Sequence, residues 1–399
     1  MSNPPFSSPN AAEGAPSRPV PLGLGTLAVH GPVPYGPNGP EPGAPIAAPF
    51  TPSVTFVDDP ARYPRYGSHP NADRVQERLA ALEGADAALV TASGMGATVC
   101  ALMALLRPGD HLLASSWIYG GTRQFIEIDL PRAGVEVDLV DPNETRGWRR
   151  LQRPNTRVLF LESPVNPTTR VLDLRSLLPM AQAHGMAIVC DSTFASPVNV
   201  RPLAHGADVV IHSATKYLNG HHDMMAGVIC GSAPFIDECA QVMRRWGQAP
   251  DPFACWLLER GLKTLEVRVE RQNATALALA ERLAAHPRVA AVHYPGLPSH
   301  PDHHLARELF HGFGGMIGFE VRGGSAGAQH VLAGLRLIAR AGSLGSVESL
   351  VSEPRVNSHA DLSAAAREAM GAPDGFVRLS VGLESVDDLW RDLAAALDH

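Results

Sequence analysis

The sequence predicts an α/β fold: a large domain built on a mostly parallel sheet, followed by a smaller α+β domain. Three observations carry this. Short apolar runs recur between residues 87 and 215, helical segments with their own stop signals separate them, and the texture changes after about residue 262. Alternating strands and helices imply a parallel sheet covered on both faces.

The first 66 residues are rich in Pro, Gly, Ala and Ser and read as an extended arm that wraps a neighbouring subunit, its first twenty residues disordered. "YGPNGPEPGAP" (Tyr35 to Pro45) can form no regular element, and "GLGTLAVHG" holds a G-x-G without the strand–helix unit that a dinucleotide site needs. The parallel-sheet domain is placed at residues 67–262. It opens with "NADRVQERLAALEG", an amphipathic helix closed by Gly84. "AALVTASG" is a strand running into a glycine turn, and "MGATVCALMALL" continues as a helix. "DHLLAS", "VEVDLV", "TRVLFLESP", "MAIVCDST" and "ADVVIHSAT" are buried strands, with "LRSLLPMAQAHG" a helix among them. The second domain, 263–399, starts with the long helix of "TLEVRVERQNATALALAERLAAH" and continues through two strands, "VAAVHYPG" and "GGMIGFEVRGG".

Composition narrows the function. A chain of 399 residues with 45% hydrophobic residues can bury a large core, and a net charge of -7 argues against a nucleic-acid partner. No apolar run is long enough for a membrane span, and no apolar signal core follows a basic start. Five cysteines, an odd number without a C-x-x-C pair, read as reduced thiols of a cytoplasmic protein.

Ligands of an open parallel sheet bind beyond the carboxyl ends of its strands, so the strand ends are where chemistry is sought. "VTASGMGA" puts Ser93, Gly94 and Met95 at a helix N-terminus, whose free N–H groups suit a phosphate. "FLESPVNP" delivers Glu162 and Asn166, "IVCDST" delivers Asp191 and Thr193, and "IHSATK" delivers Ser213, Thr215 and Lys216. A lone lysine after small hydroxyls is ordinarily a solvated cation. Here it shares a rim with a phosphate cradle, a carboxylate and an amide, the set that pyridoxal 5'-phosphate asks for: donors for its phosphate, a carboxylate for its ring nitrogen and a lysine for its aldehyde.

Those stretches, together with "ESPVNP", "HSATKYLNGH", "RGLKTL", "HYPGLPSH" and "VRLSVGLE", resemble the Cys/Met-metabolism family of pyridoxal-phosphate enzymes, which includes cystathionine γ-synthase, cystathionine lyases and methionine γ-lyase. The resemblance spans about residues 22 to 395 and implies a fold-type I architecture. It implies that Lys216 forms the internal aldimine and moves protons, that Asp191 pairs with the ring nitrogen, and that Tyr119 stacks on the ring and acts as acid or base at the leaving group. Gly94, Met95, Ser213 and Thr215 would hold the phosphate, Asn166 the ring hydroxyl or the substrate carboxylate, and Arg378 with Ser343 that carboxylate. Tyr63 and Arg65 would reach the phosphate of a neighbouring subunit, which makes the protein a homodimer or homotetramer with shared sites. The substrate is then a small L-amino acid. The reaction expected is γ-elimination at a Cγ leaving group, with γ-replacement as the alternative and a catalytically silent cofactor-binding regulator as the reading from another class.

Three departures from the family pattern bear on the substrate. Gly121 stands where methionine γ-lyases carry a cysteine, and Gly342 where cystathionine-handling members carry a glutamate; together they suggest a roomier pocket. "SHPNAD" replaces the usual "N-P-T" with one added residue. The histidines of "PSHPDHH" and "NGHHD" lack a partner at a metal-site spacing and are read as surface or helix-start residues, with a substrate contact left open for His222. Met95 is read as packing, Arg244 and Arg245 as a solvated face, and Trp246 as either core or entrance.

Overall fold

The computed structural model describes residues 22–32, 42–66, 68–144, 146–357, 360 and 362–398. Most of "YGPNGPEPGAP" and the start of the arm lie outside the described residues.

Seven strands form the larger sheet: β1 (Ala87–Thr91), β2 (His111–Ser115), β3 (Glu136–Val140), β4 (Thr156–Glu162), β5 (Ala187–Asp191), β6 (Val209–Ser213) and β7 (Gly227–Gly231). Their order is β1-β7-β6-β5-β4-β2-β3, and only β7 runs antiparallel to its neighbours, so the carboxyl ends of β1, β4, β5 and β6 share one rim. One apolar layer packs the helix Pro70–Glu83 against the sheet, and the other packs the helices Gly94–Leu105 and Ala233–Trp246. The second sheet has β8 (Val289–His293), β9 (Met316–Val321), β10 (Ala339–Arg340), β11 (Leu350–Ser352) and β12 (Phe376–Ser380) in the order β10-β11-β12-β9-β8.

Local chemistry sets the ends of these elements. His69 caps the helix Pro70–Glu83 by accepting from Asn71 N–H through Nδ1 at 3.2 Å, and Gly84 ends it at φ 72. The added residue of "SHPNAD" therefore coincides with a histidine cap, and His69 Nε2 also lies 3.0 Å from Ser53 O. Ser93 caps the helix Gly94–Leu105 through Gly96 N–H, a contact worth about 1 kcal/mol.

Four sequence expectations need amendment. The expected extended arm contains a two-turn helix, Leu24–His30, because Leu24, Leu27 and Ala28 share an apolar stripe packed on the core; Arg78 donates to Ala28 O at 2.9 Å. The strand β7 has no counterpart in the sequence reading, nor do β10, β11 and β12: two of these are three residues or shorter, and β12 carries an arginine in mid-strand. His300 is buried, not on the surface, and burial pushes its imidazole down to about 4. Trp246, exposed at the end of its helix, belongs to neither the core nor the cavity described below.

The stretch that carries Lys216 closes on Gly220 at φ 75, where a Cβ would sit 2.0 Å from Arg268 Nη1. Arg268 is buried, and it donates to Tyr217 O at 2.8 Å, Leu218 O at 3.3 Å and Gly261 O at 2.9 Å, which clamps the turn behind the lysine. Gly220→Ala combines a left-handed backbone with this clash and should weaken the fold by at least about 2 kcal/mol, read as a lower denaturation midpoint. An unchanged midpoint would mean that the turn is not held as described.

Candidate active site

One cavity of about 610 Å³ opens at the shared rim, and most of the expected residues line it: Ser93, Gly94, Met95, Tyr119, Asn166, Asp191, Thr193, Ser213, Thr215, Lys216, Ser343 and Arg378. Tyr63 and Arg65 do not line it. They lie half-exposed or exposed elsewhere, with the Tyr63 ring 5.4 Å from Tyr66 and the Arg65 guanidinium 5.1 Å over the same ring. His222 is also absent from the lining; it stands 4.0 Å from Glu348. Thr98, Thr122, Phe194, Met225, Val356 and Asn357 line the cavity without having been singled out in the sequence.

The sheet register builds the floor. Glu162 and Asp191 end β4 and β5 as a registered pair. Glu162 accepts from Tyr119 N–H at 2.8 Å and Asn166 N–H at 2.9 Å, so its carboxylate holds the backbone of two further lining residues. Asp191 Oδ1 accepts from Thr193 N–H at 2.9 Å and Thr193 Oγ1 at 2.6 Å, and Thr193 Oγ1 accepts in turn from Ser213 N–H at 2.8 Å. Burial and the facing Asp191 push the Glu162 carboxyl up to about 8, and burial raises Asp191 as well. Among the described residues neither carboxyl has an ion-pair partner, so burial favours their neutral forms, and a cationic N–H placed over Asp191 would favour its charged form.

The opposite wall carries the converse problem. Arg378, in mid-strand on β12, is buried; it donates to Asn166 Oδ1 at 3.0 Å and Ser343 O at 2.9 Å. No described carboxylate pairs with it, and burial lowers its guanidinium to about 10. Its remaining donors suit the fork geometry of a carboxylate. Ser343, held at φ 78, accepts from Lys216 Nζ at 2.8 Å. Burial first, and the Arg378 charge second, bring the Lys216 amine down to about 8.

The phosphate end also fits. Ser93 satisfies Gly96 N–H, which leaves the Gly94 and Met95 amides at the helix N-terminus for an anion. A Cβ on Gly94 would stand 2.8 Å from Ser213 Cβ, so glycine is what lets the two strand ends approach. These donors, the paired carboxylates and the depressed lysine match pyridoxal phosphate group for group.

The two substrate-pocket glycines differ. At Gly121 a Cβ would meet the Tyr119 ring at 2.7 Å and Met95 Sδ at 3.3 Å, so the ring fills that space and the expected extra room is not there. At Gly342 the nearest atom is Asn357 Oδ1 at 4.0 Å, and the room is real.

A lysine brought down to about 8 loses its proton well below the ordinary range near 10.5. Acylation of Lys216 in the cofactor-free protein, followed by peptide mass spectrometry, should therefore rise with pH through a midpoint at about 8 and level off between about 9 and 10. A rise that continues beyond 10 would contradict the assignment.

Comparison with known proteins agrees with this geometry. The model of the Cys/Met metabolism PLP-dependent enzyme family matches residues 56–398. The chain is 40% identical over 370 residues to the L-methionine gamma-lyase of Porphyromonas gingivalis, covering 88% of this chain and 92% of that enzyme. It is 41% identical over 337 residues to cystathionine gamma-synthase 1, chloroplastic, of Nicotiana tabacum, covering 84% of this chain but only 62% of the tobacco protein. It is 39% identical over 335 residues to the O-succinylhomoserine sulfhydrylase of Pseudomonas aeruginosa, covering 84% of this chain and 83% of that one. The crystal structure of metB from Corynebacterium glutamicum superposes with a TM-score of 0.87 at 34% identity, covering 94% of this chain and 98% of that one. With a fold-type I architecture, a cavity suited to the cofactor and a family match over residues 56–398, this chain belongs to the Cys/Met metabolism family of PLP-dependent enzymes.

Proposed function

We propose that the chain catalyses γ-elimination on a small L-amino acid with a leaving group at Cγ. The observation that carries this reading is the single cavity onto which Lys216, Tyr119, Asp191 and Arg378 all open. Bound there, pyridoxal phosphate supplies an aldehyde for the substrate amine and a ring that takes up the electrons left at Cα. Gly94 and Met95 N–H, with the Ser213 and Thr215 hydroxyls, bind the phosphate. Asp191, oriented by Thr193, keeps the ring nitrogen protonated. Arg378 grips the substrate α-carboxylate with Asn166 and Ser343 beside it. Lys216 Nζ, half-deprotonated near pH 8, would take the proton from Cα, pass it on to the bound cofactor or to water, and, free again as the amine, take the proton from Cβ. The Tyr119 phenol gives a proton to the group leaving Cγ.

γ-Replacement shares every one of these steps and ends when a second nucleophile adds at Cγ. The named activities of the tobacco and Pseudomonas aeruginosa relatives favour it as the second reading. A catalytically silent regulator would have no use for Lys216, Tyr119 and Arg378 in one cavity.

The same reading covers the assembly. Tyr63 and Arg65, outside their own cavity, serve the cavity of a second copy in a homodimer or homotetramer. Residues 1–66 act as the arm, 67–262 as the cofactor domain and 263–399 as the second domain, in a cytoplasmic enzyme. No helix among the described residues is long and apolar enough to cross a membrane.

The test is product analysis with methionine and O-acetylhomoserine, with and without an added thiol. Elimination yields 2-oxobutanoate, ammonia and the leaving group; replacement yields an amino acid with a new Cγ–S bond. Tyr119→Phe should lower kcat by about 10²-fold or more with either outcome. Pyruvate from a β-substituted amino acid, with no Cγ product, would overturn the reading.

A further inference from the structure

Arg340 and Arg355 converge on one buried carboxylate at the outer wall of the cavity. Arg340 Nη2 donates to Glu353 Oε1 at 3.3 Å and Arg355 Nε to Glu353 Oε2 at 2.7 Å, and the Glu353 side chain is fully buried. A carboxylate buried between two guanidiniums is held in one geometry, because losing either partner would leave charge uncompensated. It ties together the two segments that form the cavity mouth: Arg340 leads into Gly342 and Ser343, and Arg355 into Val356 and Asn357.

The backbone of Glu353 orients Asn357. Its Nδ2 donates to Glu353 O at 3.2 Å, and a carbonyl can only accept, so the amide nitrogen is fixed toward the backbone. The other end of the amide, Oδ1, is then turned to the mouth, where it lies 4.0 Å from the Cβ position of Gly342. Among the described residues no donor is paired with that oxygen. The residues that line this wall, Gly342, Val356 and Asn357, carry no charge of their own, and Asn357 presents a hydrogen-bond acceptor over the space that Gly342 leaves open.

We infer that Asn357 is a specificity-determining residue, which selects amino acids whose Cγ leaving group ends in a neutral hydrogen-bond donor such as a hydroxyl or an amide N–H. The inference rests on the cavity being the amino-acid site proposed above.

Two probes separate the claims: S-(2-hydroxyethyl)-L-homocysteine and S-propyl-L-homocysteine, which differ by a terminal hydroxyl in place of a methyl. Dissociation constants come from titrating the cofactor absorbance of the holoenzyme, which needs no cleavage; thiol release reports cleavage separately. The hydroxyl compound should bind about five- to tenfold more tightly, the ratio that one neutral hydrogen bond supports. Asn357→Leu should abolish the preference by weakening the hydroxyl compound. Gly342→Ala, which sets a methyl against Oδ1, should narrow it. Equal affinities in the unaltered enzyme, or a preference that survives Asn357→Leu, would overturn the inference. A preserved preference with neither thiol released would support it and overturn the γ-cleavage reading instead.

Discussion

The structure turns on buried acidic and basic groups that face one cavity. Glu162 and Asp191 form its floor and Arg378 its wall, and among the described residues none of the three has an ion-pair partner. Burial disfavours the charged form of each, so the two carboxyls are held above their usual range and the guanidinium below its own. A cofactor that brings a ring N–H cation favours the charged form of Asp191, and a substrate that brings a carboxylate favours that of Arg378. Lys216 sits between them, kept short of full charge by burial and by Arg378.

The fold delivers these groups by different routes. Parallel strands end together, so Ser93, Glu162, Asp191 and Ser213 reach one rim through topology alone. Arg378 comes from β12 of the second sheet and Ser343 from the loop between β10 and β11, and their contacts join the two domains' contributions in one wall: Arg378 to Asn166, and Ser343 to Lys216. Ser343 holds a left-handed backbone that a side-chain residue adopts only at a cost of about 1–3 kcal/mol, and its hydroxyl meets the reacting lysine directly. Arg268 holds the lysine's own segment from behind by donating to the carbonyls that follow Lys216.

Much of this was legible in the sequence, and the rest was hidden for physical reasons. Strand-end residues such as Asp191 and Lys216 could be read because each follows an apolar run that fixes its position. Glu162 was visible at a strand end, yet its task of holding the Tyr119 and Asn166 amides depends on register across strands, which sequence does not display. Arg378 emerged only through resemblance, since an arginine inside an apolar strand otherwise argues against burial. Val356 and Asn357 come from a short turn without periodicity, so nothing marked them. Gly121 misled for a steric reason: removing a side chain opens space only if no neighbour leans into it, and the Tyr119 ring does.

The most direct test of the account is hydrogen exchange in D₂O with norvaline, an amino acid that has no group to expel. If Lys216 removes protons first at Cα and then at Cβ, proton NMR will show deuterium at both carbons, and Lys216→Ala will show it at neither. Deuterium confined to Cα would contradict the account, because the site would then lack the second proton transfer on which γ-chemistry depends.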